Sequence, residues 1–439
     1  MTGRPRVAAL AGWWRAAALL LVLSLAGSGF GAGAAAGAPE RGPERGPDRG
    51  PDRAPDRGPP LDAKGWIVID ARTGQPLAGQ AVNRHLPMAS TTKMMTAYLA
   101  IRNLPLGRKV KAVRYEPDPA ESLMGLEPGQ TVSVRDLLYG LMLLSGNDAA
   151  VTLSRAVSGS EARFVALMNR TARRLGLDDT HYDNPVGLDG PSHYTSAADL
   201  ARLGRVLMGI PRLRKIVGSR EAVLTSYRPP LTIETTDSFL RDNPWARGIK
   251  TGHTLSSGYT LASDGRRKAT ELIGAVIGTP SEEARNSETV RLLDWGFSLY
   301  EKKVPVKVGR PVATIPVRYE DQDLPVLSRR RVRIGARKGE RLSVATDLPA
   351  EVEGPLLAGK ELGFATVSLD GKPFARVPLF AGRTIEEPTV VDRLLGNPLW
   401  IGALLGLAFF AILGLLLLVR RRREDSTRKR LKRVLRKTR

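Results

Sequence analysis

The chain has 439 residues, which is enough for two or three domains. It contains no cysteine, which excludes a disulfide framework and a thiolate metal site. The formal net charge is +23, but residues 420–439 alone contribute twelve Lys/Arg and two acids, a net of +10. Because the charge is concentrated in this tail, it favours anionic lipid and not nucleic acid as the partner.

The N-terminus is predicted to be an export signal. Three arginines in the first 15 residues precede an apolar run at 16–26, and small residues suited to cleavage follow at 34–36. Residues 1–36 are therefore assigned to a signal peptide. The alternative is an uncut membrane anchor, because residues 16–38 carry no charge and are long enough to cross a bilayer.

Residues 37–60 are predicted to be a spacer. Pro-Glu-Arg-Gly and Pro-Asp-Arg-Gly tetrapeptides repeat through most of this segment, and no large apolar side chain occurs in the repeats. Such a composition cannot build a core. Regularly spaced proline disfavours a helix and keeps the chain extended.

Residues 61–302 are predicted to form one α+β domain, with an antiparallel sheet flanked by helices. Strands are expected where apolar residues alternate or cluster between turn residues, at 66–70, 247–254, 258–262 and 272–278. A helix is expected to open at Ser90. Further helices are expected at 134–144, 160–175, 195–208 and 282–300.

Three short motifs lie inside this domain: Ser90-Thr91-Thr92-Lys93, Ser145-Gly146-Asn147 and Lys250-Thr251-Gly252. Ser90 is the candidate nucleophile, and a serine needs a base beside it at neutral pH. Lys93 is the candidate base, because residues three apart share one face of a helix. Taken alone, the first motif equally fits a helix-capping serine followed by a solvated lysine.

The second motif is expected on a loop after an apolar helix. The hydroxyl of Ser145 could relay a proton to the leaving amine, and the amide of Asn147 could hold a substrate carbonyl. The same residues are also ordinary turn formers, and without the other motifs that interpretation would be preferred.

The third motif is expected on a strand along which a peptide substrate could pair. Lys250 and Thr251 suit a terminal carboxylate, and Thr254 adds a second hydroxyl to the substrate-binding strand. Gly252 removes a side chain that would block approach. The backbone amides of Ser90 and His253 are the candidates for an oxyanion hole.

The remaining segments complete the domain plan. Residues 303–383 are predicted to be a small all-β domain, with strands at 304–308, 311–317, 332–334, 341–345, 362–369 and 374–378. Residues 384–398 form a linker. Residues 399–419 are uncharged and long enough to span a membrane, and the basic residues 420–439 then lie in the cytoplasm. The body of the protein is therefore expected outside the membrane and tethered to it, in contact with lipid through the span and the tail.

The chain resembles the D-alanyl-D-alanine carboxypeptidases, which are low-molecular-mass penicillin-binding proteins. Beyond the three motifs, the resemblance includes residues 87–96, 128–129, 135–140, 184–188, 193–197, 250–254 and 359–379. It implies a β-lactamase/transpeptidase-like fold, removal of the terminal D-alanine from peptidoglycan stem pentapeptides, and acylation by β-lactam antibiotics. It also implies a role for Arg285 in binding the substrate's terminal carboxylate.

The sequence departs from the family in two places. The family usually anchors through an amphipathic helix lying on the membrane, whereas this chain has a true span. Residues 235–237 also differ from the asparagine-containing segment expected before the third motif.

Three other functions are alternatives to this one. A β-lactamase needs a carboxylate for its deacylating water, usually in Glu-x-x-Leu-Asn, and no such segment occurs in the sequence. A D,D-endopeptidase is disfavoured by the extra β domain. A tethered scaffold or sensor that is acylated without turnover remains an alternative. No cofactor or metal is expected, because only four histidines occur and no carboxylate motif accompanies them; His181 and His193 are predicted to be structural.

Overall fold

The computed structural model describes residues 58–395 and 398–435. The predicted signal peptide (1–36) and nearly all of the predicted spacer (37–60) lie outside these residues. The strands of the first domain are β1 (Gly65–Asp70), β2 (Pro76–Gln80), β3 (Lys109–Lys111), β4 (Thr131–Ser133), β5 (Glu221–Leu224), β6 (Leu231–Glu234), β7 (Ala246–Thr254), β8 (Gly258–Arg267) and β9 (Thr270–Thr279). Its helices are α1 (Lys93–Asn103), α2 (Val134–Leu143), α3 (Asn147–Ser158), α4 (Glu161–Arg174), α5 (Ala197–Met208), α6 (Pro211–Val217), α7 (Ser238–Asp242) and α8 (Glu282–Ser298).

A five-stranded antiparallel sheet organises this domain, in the order β2-β1-β9-β8-β7. Both faces are buried, and alternation along β1 shows how. Ile67 and Ile69 join the larger core with α1 to α6, whereas Trp66 and Val68 join a second core with Leu292 and Leu293 of α8. The sheet thus lies between two helical layers, and β7 is left as an edge strand.

Several predicted boundaries needed correction. The helix expected to open at Ser90 begins at Lys93 and is preceded by a 3₁₀ turn, Ala89–Thr92. The helix expected to reach residue 300 ends at Ser298, because Tyr300 begins the next strand. The loop expected at Asn147 is in fact the start of α3, and the first four residues of this helix, Asn147–Ala150, are all buried. That helix was missed because Ser-Gly-Asn-Asp is typical of turns and equally suits a helix N-terminus.

The second domain is all β, as predicted. Its strands are β10 (Tyr300–Val306), β11 (Pro311–Ile315), β12 (Leu324–Leu327), β13 (Val332–Arg337), β14 (Leu342–Asp347), β15 (Glu361–Leu369) and β16 (Lys372–Ala381). Five of them form a sheet in the order β11-β12-β16-β15-β14, and β10 pairs with β13. Val306, Val326, Val367 and Leu379 are among the residues of its separate hydrophobic core. Strand β12 was not predicted.

The chain ends in two helices, α9 (Val390–Leu395) and α10 (Pro398–Leu435). Within α10, the part Trp400–Lys429 is long and apolar enough to cross a membrane, and its apolar window is not buried against the rest of the protein. A soluble domain does not usually expose so many large apolar side chains. This helix contains the predicted span at 399–419.

Candidate active site

The nucleophile candidate lies on a tightly held turn. Ser90 is the second residue of the 3₁₀ turn Ala89–Thr92, and Ala89 has a φ of +46°, which non-glycine residues rarely adopt. The hydroxyl of Thr91 donates to the carbonyl of Met88 at 2.6 Å, and that of Thr92 donates to the carbonyl of Ala89 at 2.8 Å. These bonds fix the strained backbone that presents the Ser90 hydroxyl.

Lys93 is placed as a base would need to be. Its Nζ lies 2.8 Å from Ser90 Oγ and 2.7 Å from the carbonyl oxygen of Val186. The side chain is fully buried. Burial, followed by the nearby charge of Lys250, lowers the pKa of Lys93 well below its ordinary value. A larger fraction of this amine is therefore neutral at physiological pH than of an exposed lysine.

The carbonyl of Val186 reaches Lys93 through a compact loop. Asn184 Oδ1 accepts hydrogen bonds from the backbone amides of Val186 and Gly187, at 3.2 and 2.7 Å. Gly187 has a φ of +102°, and a Cβ at this position would lie 2.1 Å from the Ala89 carbonyl oxygen. Only glycine lets this loop pack directly under the nucleophile turn.

His193 supports the same turn from below. Its Nδ1 accepts a hydrogen bond from the Asp183 amide at 3.0 Å, so its Nε2 carries the proton and donates to Thr92 Oγ1 at 2.7 Å. Burial lowers the pKa of His193 from 6.5 to about 4. A neutral, buried histidine that joins the backbone of Asp183 to the side chain of Thr92 agrees with the structural role expected for it.

The second motif lies between α2 and α3. Ser145 is mostly buried and has a φ of +61°, and Asn147 is the first residue of α3. Asn147 Nδ2 donates to Glu121 Oε2 at 2.5 Å. Glu121 also acts electrostatically on Lys93, which places the first and second motifs in the same neighbourhood.

Glu121 is a further residue of this neighbourhood, and it lies outside the three motifs that predicted the site. It lies in the long connection between β3 and β4, and its carboxylate accepts hydrogen bonds from Tyr115, Asn147 and the Asp118 amide. Burial pushes the pKa of Glu121 upward, but the hydrogen bonds from Tyr115 and Asn147 outweigh it and the pKa is lowered. The carboxylate is consequently ionised and occupied by donors, which is unlike a general base ready to take a proton.

The third motif lies on the edge strand β7. Gly252 packs against the nucleophile turn, since a Cβ there would lie 3.0 Å from the Ser90 amide nitrogen. Lys250 is buried, and its Nζ donates to the Thr251 carbonyl at 2.9 Å. Burial lowers the pKa of Lys250 to about 8, and Arg285 contributes in the same direction against the opposing charge of Asp237.

The outer members of the predicted site have other contacts. The ring of His253 stacks on Tyr259 at 4.0 Å between centroids, so its side chain is held by the sheet. Thr254 Oγ1 donates to Asp189 Oδ1 at 2.9 Å. The guanidinium of Arg285 donates to Ser238, Glu282 and Asn286, and its connection to the site is the charge that it exerts on Lys250.

The structure therefore brings Ser90 into contact with Lys93 and packs Gly252 on the Ser90 turn. Asn147 is connected to Lys93 through Glu121, which binds the Asn147 side chain and whose charge acts on Lys93. Lys250 acts on Lys93 directly through its own charge. A hydroxyl beside a buried amine, next to a free strand edge and an antiparallel sheet, defines a serine acyl hydrolase of the penicillin-binding class.

Comparisons with known proteins identify the family. A model described as D-alanyl-D-alanine carboxypeptidase matches residues 53–281, and one for the penicillin-binding protein 5 C-terminal domain matches 300–387. The D-alanyl-D-alanine carboxypeptidase DacA of Escherichia coli is 32% identical over 365 residues, covering 76% of this chain and 86% of its own length. DacF of Bacillus subtilis is 30% identical over 352 residues, covering 76% of this chain and 90% of its own length.

Comparison with a solved structure supports the same family. Penicillin binding protein 5 from Haemophilus influenzae aligns with a TM-score of 0.53 at 28% identity, over 76% of this chain and 100% of that one. The chain belongs to the D-alanyl-D-alanine carboxypeptidase family and is a serine hydrolase. The predicted family, enzyme class and α+β fold are thereby confirmed.

Proposed function

We propose that this hydrolase removes the terminal D-alanine from peptidoglycan stem pentapeptides through an acyl-enzyme on Ser90. The observation that carries the proposal is the 2.8 Å contact between Ser90 Oγ and the buried amine of Lys93. Lys93 takes the hydroxyl proton as Ser90 attacks the penultimate D-alanyl carbonyl. D-Alanine leaves, and water then hydrolyses the ester.

The second motif serves the leaving group and the peptide. The hydroxyl of Ser145 passes the proton from Lys93 to the departing amine, and the amide of Asn147 donates to a substrate carbonyl. The strained φ of Ser145 and the burial of both side chains support this role, because such backbone is retained where its geometry is needed.

Strand β7 receives the substrate. The stem peptide pairs with the free edge of this strand. Lys250 and Thr251 bind its terminal carboxylate, and Thr254 and Arg285 also contribute to substrate binding. The Ser90 and His253 amides form the oxyanion hole. The close packing of Gly252 on the Ser90 amide supports this assignment, since it holds the strand and the nucleophile turn side by side.

The same arrangement accepts β-lactams. Penicillin carries a carboxylate and a reactive amide carbonyl, as the stem peptide does, so Ser90 opens the ring and is acylated. The acyl-enzyme is long-lived because the nearby carboxylate, Glu121, is engaged by three donors and is not free to activate water. This disfavours the β-lactamase alternative.

The protein is proposed to act at the outer face of the cell membrane. Residues 1–36 direct export, residues 399–419 span the bilayer, and the basic tail 420–439 stays in the cytoplasm. The apolar helix Trp400–Lys429 supports the span. The tail contacts anionic lipid, and the catalytic domain faces the peptidoglycan.

The test uses the full chain in detergent micelles with a stem pentapeptide. Release of free D-alanine by the wild type, and its loss in Ser90→Ala, is the expected result. Cleavage only of cross-linked stem peptides would identify an endopeptidase. Fluorescent-penicillin labelling without any D-alanine release would identify a non-turnover sensor and contradict the proposal.

A further inference from the structure

The segment that connects β3 and β4, residues 112–130, is bound to the start of α3 by several hydrogen bonds. The backbone N–H of Asn147 donates to the backbone carbonyl of Ser122 at 2.8 Å. Asp148 accepts from the backbone amides of Met124 and Leu126, each at 2.8 Å. Residues 112–130 therefore form a fixed wall against the second motif.

Glu121 is the charged residue of this wall that touches a site side chain. Its Oε2 accepts from Asn147 Nδ2 at 2.5 Å and from the Tyr115 hydroxyl, while its Oε1 accepts from the Asp118 amide at 3.1 Å. Three donors from two parts of the chain converge on one carboxylate. Glu121 is thus held in place before any substrate arrives.

The chemistry of the two partners decides the orientation of the Asn147 amide. An asparagine amide has nearly the same shape when its oxygen and nitrogen are exchanged. An ionised carboxylate can only accept hydrogen bonds, so it requires the Nδ2 end of Asn147 to face it. The second N–H of Nδ2 and the Oδ1 oxygen are then fixed in direction as well.

We propose that Glu121 is a positioning residue of the active site, which sets the orientation of the Asn147 amide and supplies a negative charge to the surroundings of Lys93. This inference rests on the proposed role of Asn147 in binding the substrate. It assigns Glu121 no contact with the reacting atoms.

The charge has a measurable consequence because several ionised groups surround Lys93. Lys250 of β7 lowers the pKa of Lys93. Two carboxylates raise it, Glu121 of the 112–130 segment and Asp148 of α3. His193, which packs under the nucleophile turn, also interacts with Lys93 and is neutral above pH ~5. Removing the Glu121 charge therefore lowers the pKa of Lys93 further.

The experiment compares Glu121→Gln with Glu127→Gln in the full-length protein, measuring the second-order rate of acylation by fluorescent penicillin across pH. Glu127 is an exposed carboxylate of the same 112–130 segment, so it is a matched control. Glutamine at 121 can donate as well as accept, so the Asn147 amide is no longer held in one orientation. We expect acylation by Glu121→Gln to slow by about 10- to 100-fold, with the acid limb of its pH profile moved to lower pH, and no change in Glu127→Gln.

A double-mutant cycle distinguishes positioning from a general loss of structure. In the Asn147→Ala background, Glu121→Gln should slow acylation by less than about threefold, because the amide that it orients is absent. Full additivity, or a pH profile and rate equal to the Glu127→Gln control, would overturn the proposal. So would normal acylation combined with release of the penicilloyl group that is slower than in the wild type, since that result would make Glu121 the deacylation base. Penicillin acylation does not require peptide turnover, so failure of the wild type to release D-alanine would count against the proposed function alone.

Discussion

Protonation of His193 in acid should destabilise the protein, because His193 holds the turn that carries Ser90 against the Asp183 segment. The pKa of His193 is lowered from 6.5 to about 4 because the ring is buried, and its Nδ1 accepts a backbone hydrogen bond that the protonated form cannot accept. An unfolded chain takes up this proton near pH 6.5, whereas the folded protein resists it until about pH 4. Stability from this residue is therefore complete above about pH 6.5 and is lost as the pH falls toward 4.

The magnitude follows from the lowered pKa. Between about pH 7.5 and pH 5, the difference in proton binding removes roughly 2 kcal/mol from the free energy of unfolding. Other groups titrate in the same interval, so the test compares the wild type with His193→Gln, which can still donate to Thr92. Denaturant unfolding of the full chain in detergent, followed by tryptophan fluorescence, gives the free energy at each pH.

We expect the pH dependence of stability to be smaller in His193→Gln by roughly 2 kcal/mol over this interval. Equal pH dependence in the wild type and His193→Gln would refute the reasoning.

Two further predictions concern the nucleophile turn and the carboxylate pocket. Gly187→Ala places a Cβ 2.1 Å from the Ala89 carbonyl oxygen, whereas the control Gly125→Ala has a similar positive φ and meets open space. Only Gly187→Ala should therefore slow acylation by fluorescent penicillin. In denaturant unfolding it should lose ~1–3 kcal/mol more stability than the control. Acylation equally slow in both variants would show that backbone strain and not the clash is responsible. The pKa of Lys250 is lowered to about 8, so acylation by penicillin should decline above pH 8 as this ammonium loses its proton and its attraction for the carboxylate. A penicillin methyl ester lacks the charge and should show no such decline; the same alkaline limb with the ester would assign it to another group.

The elements that the sequence predicted best are those with strong periodicity. Apolar residues at spacings of two predict strands β1, β7, β8 and β9, and apolar residues at spacings of three to four predict helices α2, α4, α5 and α8. The observed ends of these elements differ from the predicted ends by a few residues at most. The exception is β8, which extends five residues beyond its predicted end. The short strands β2 to β6 were missed because three to five residues carry too little pattern.

The sequence predicted those parts of the site whose residues lie close together within one short motif. Ser90 and Lys93 are three residues apart, so their contact follows from local geometry, although a 3₁₀ turn and not an α-helix provides it. The contact between Lys93 and the Val186 carbonyl joins residues 93 apart, and that between Glu121 and Asn147 joins residues 26 apart. Such pairings depend on how the loops fold over the core, which local sequence does not specify.

The central claim is that Ser90 alone becomes acylated, with Lys93 as its base. Mass spectrometry of peptides from the full-length chain, taken after brief exposure to benzylpenicillin, locates the adduct directly. A single adduct on Ser90, absent from Ser90→Ala, is the expected result. An adduct on Ser145 or any other residue, or undiminished labelling of Ser90→Ala, would contradict it.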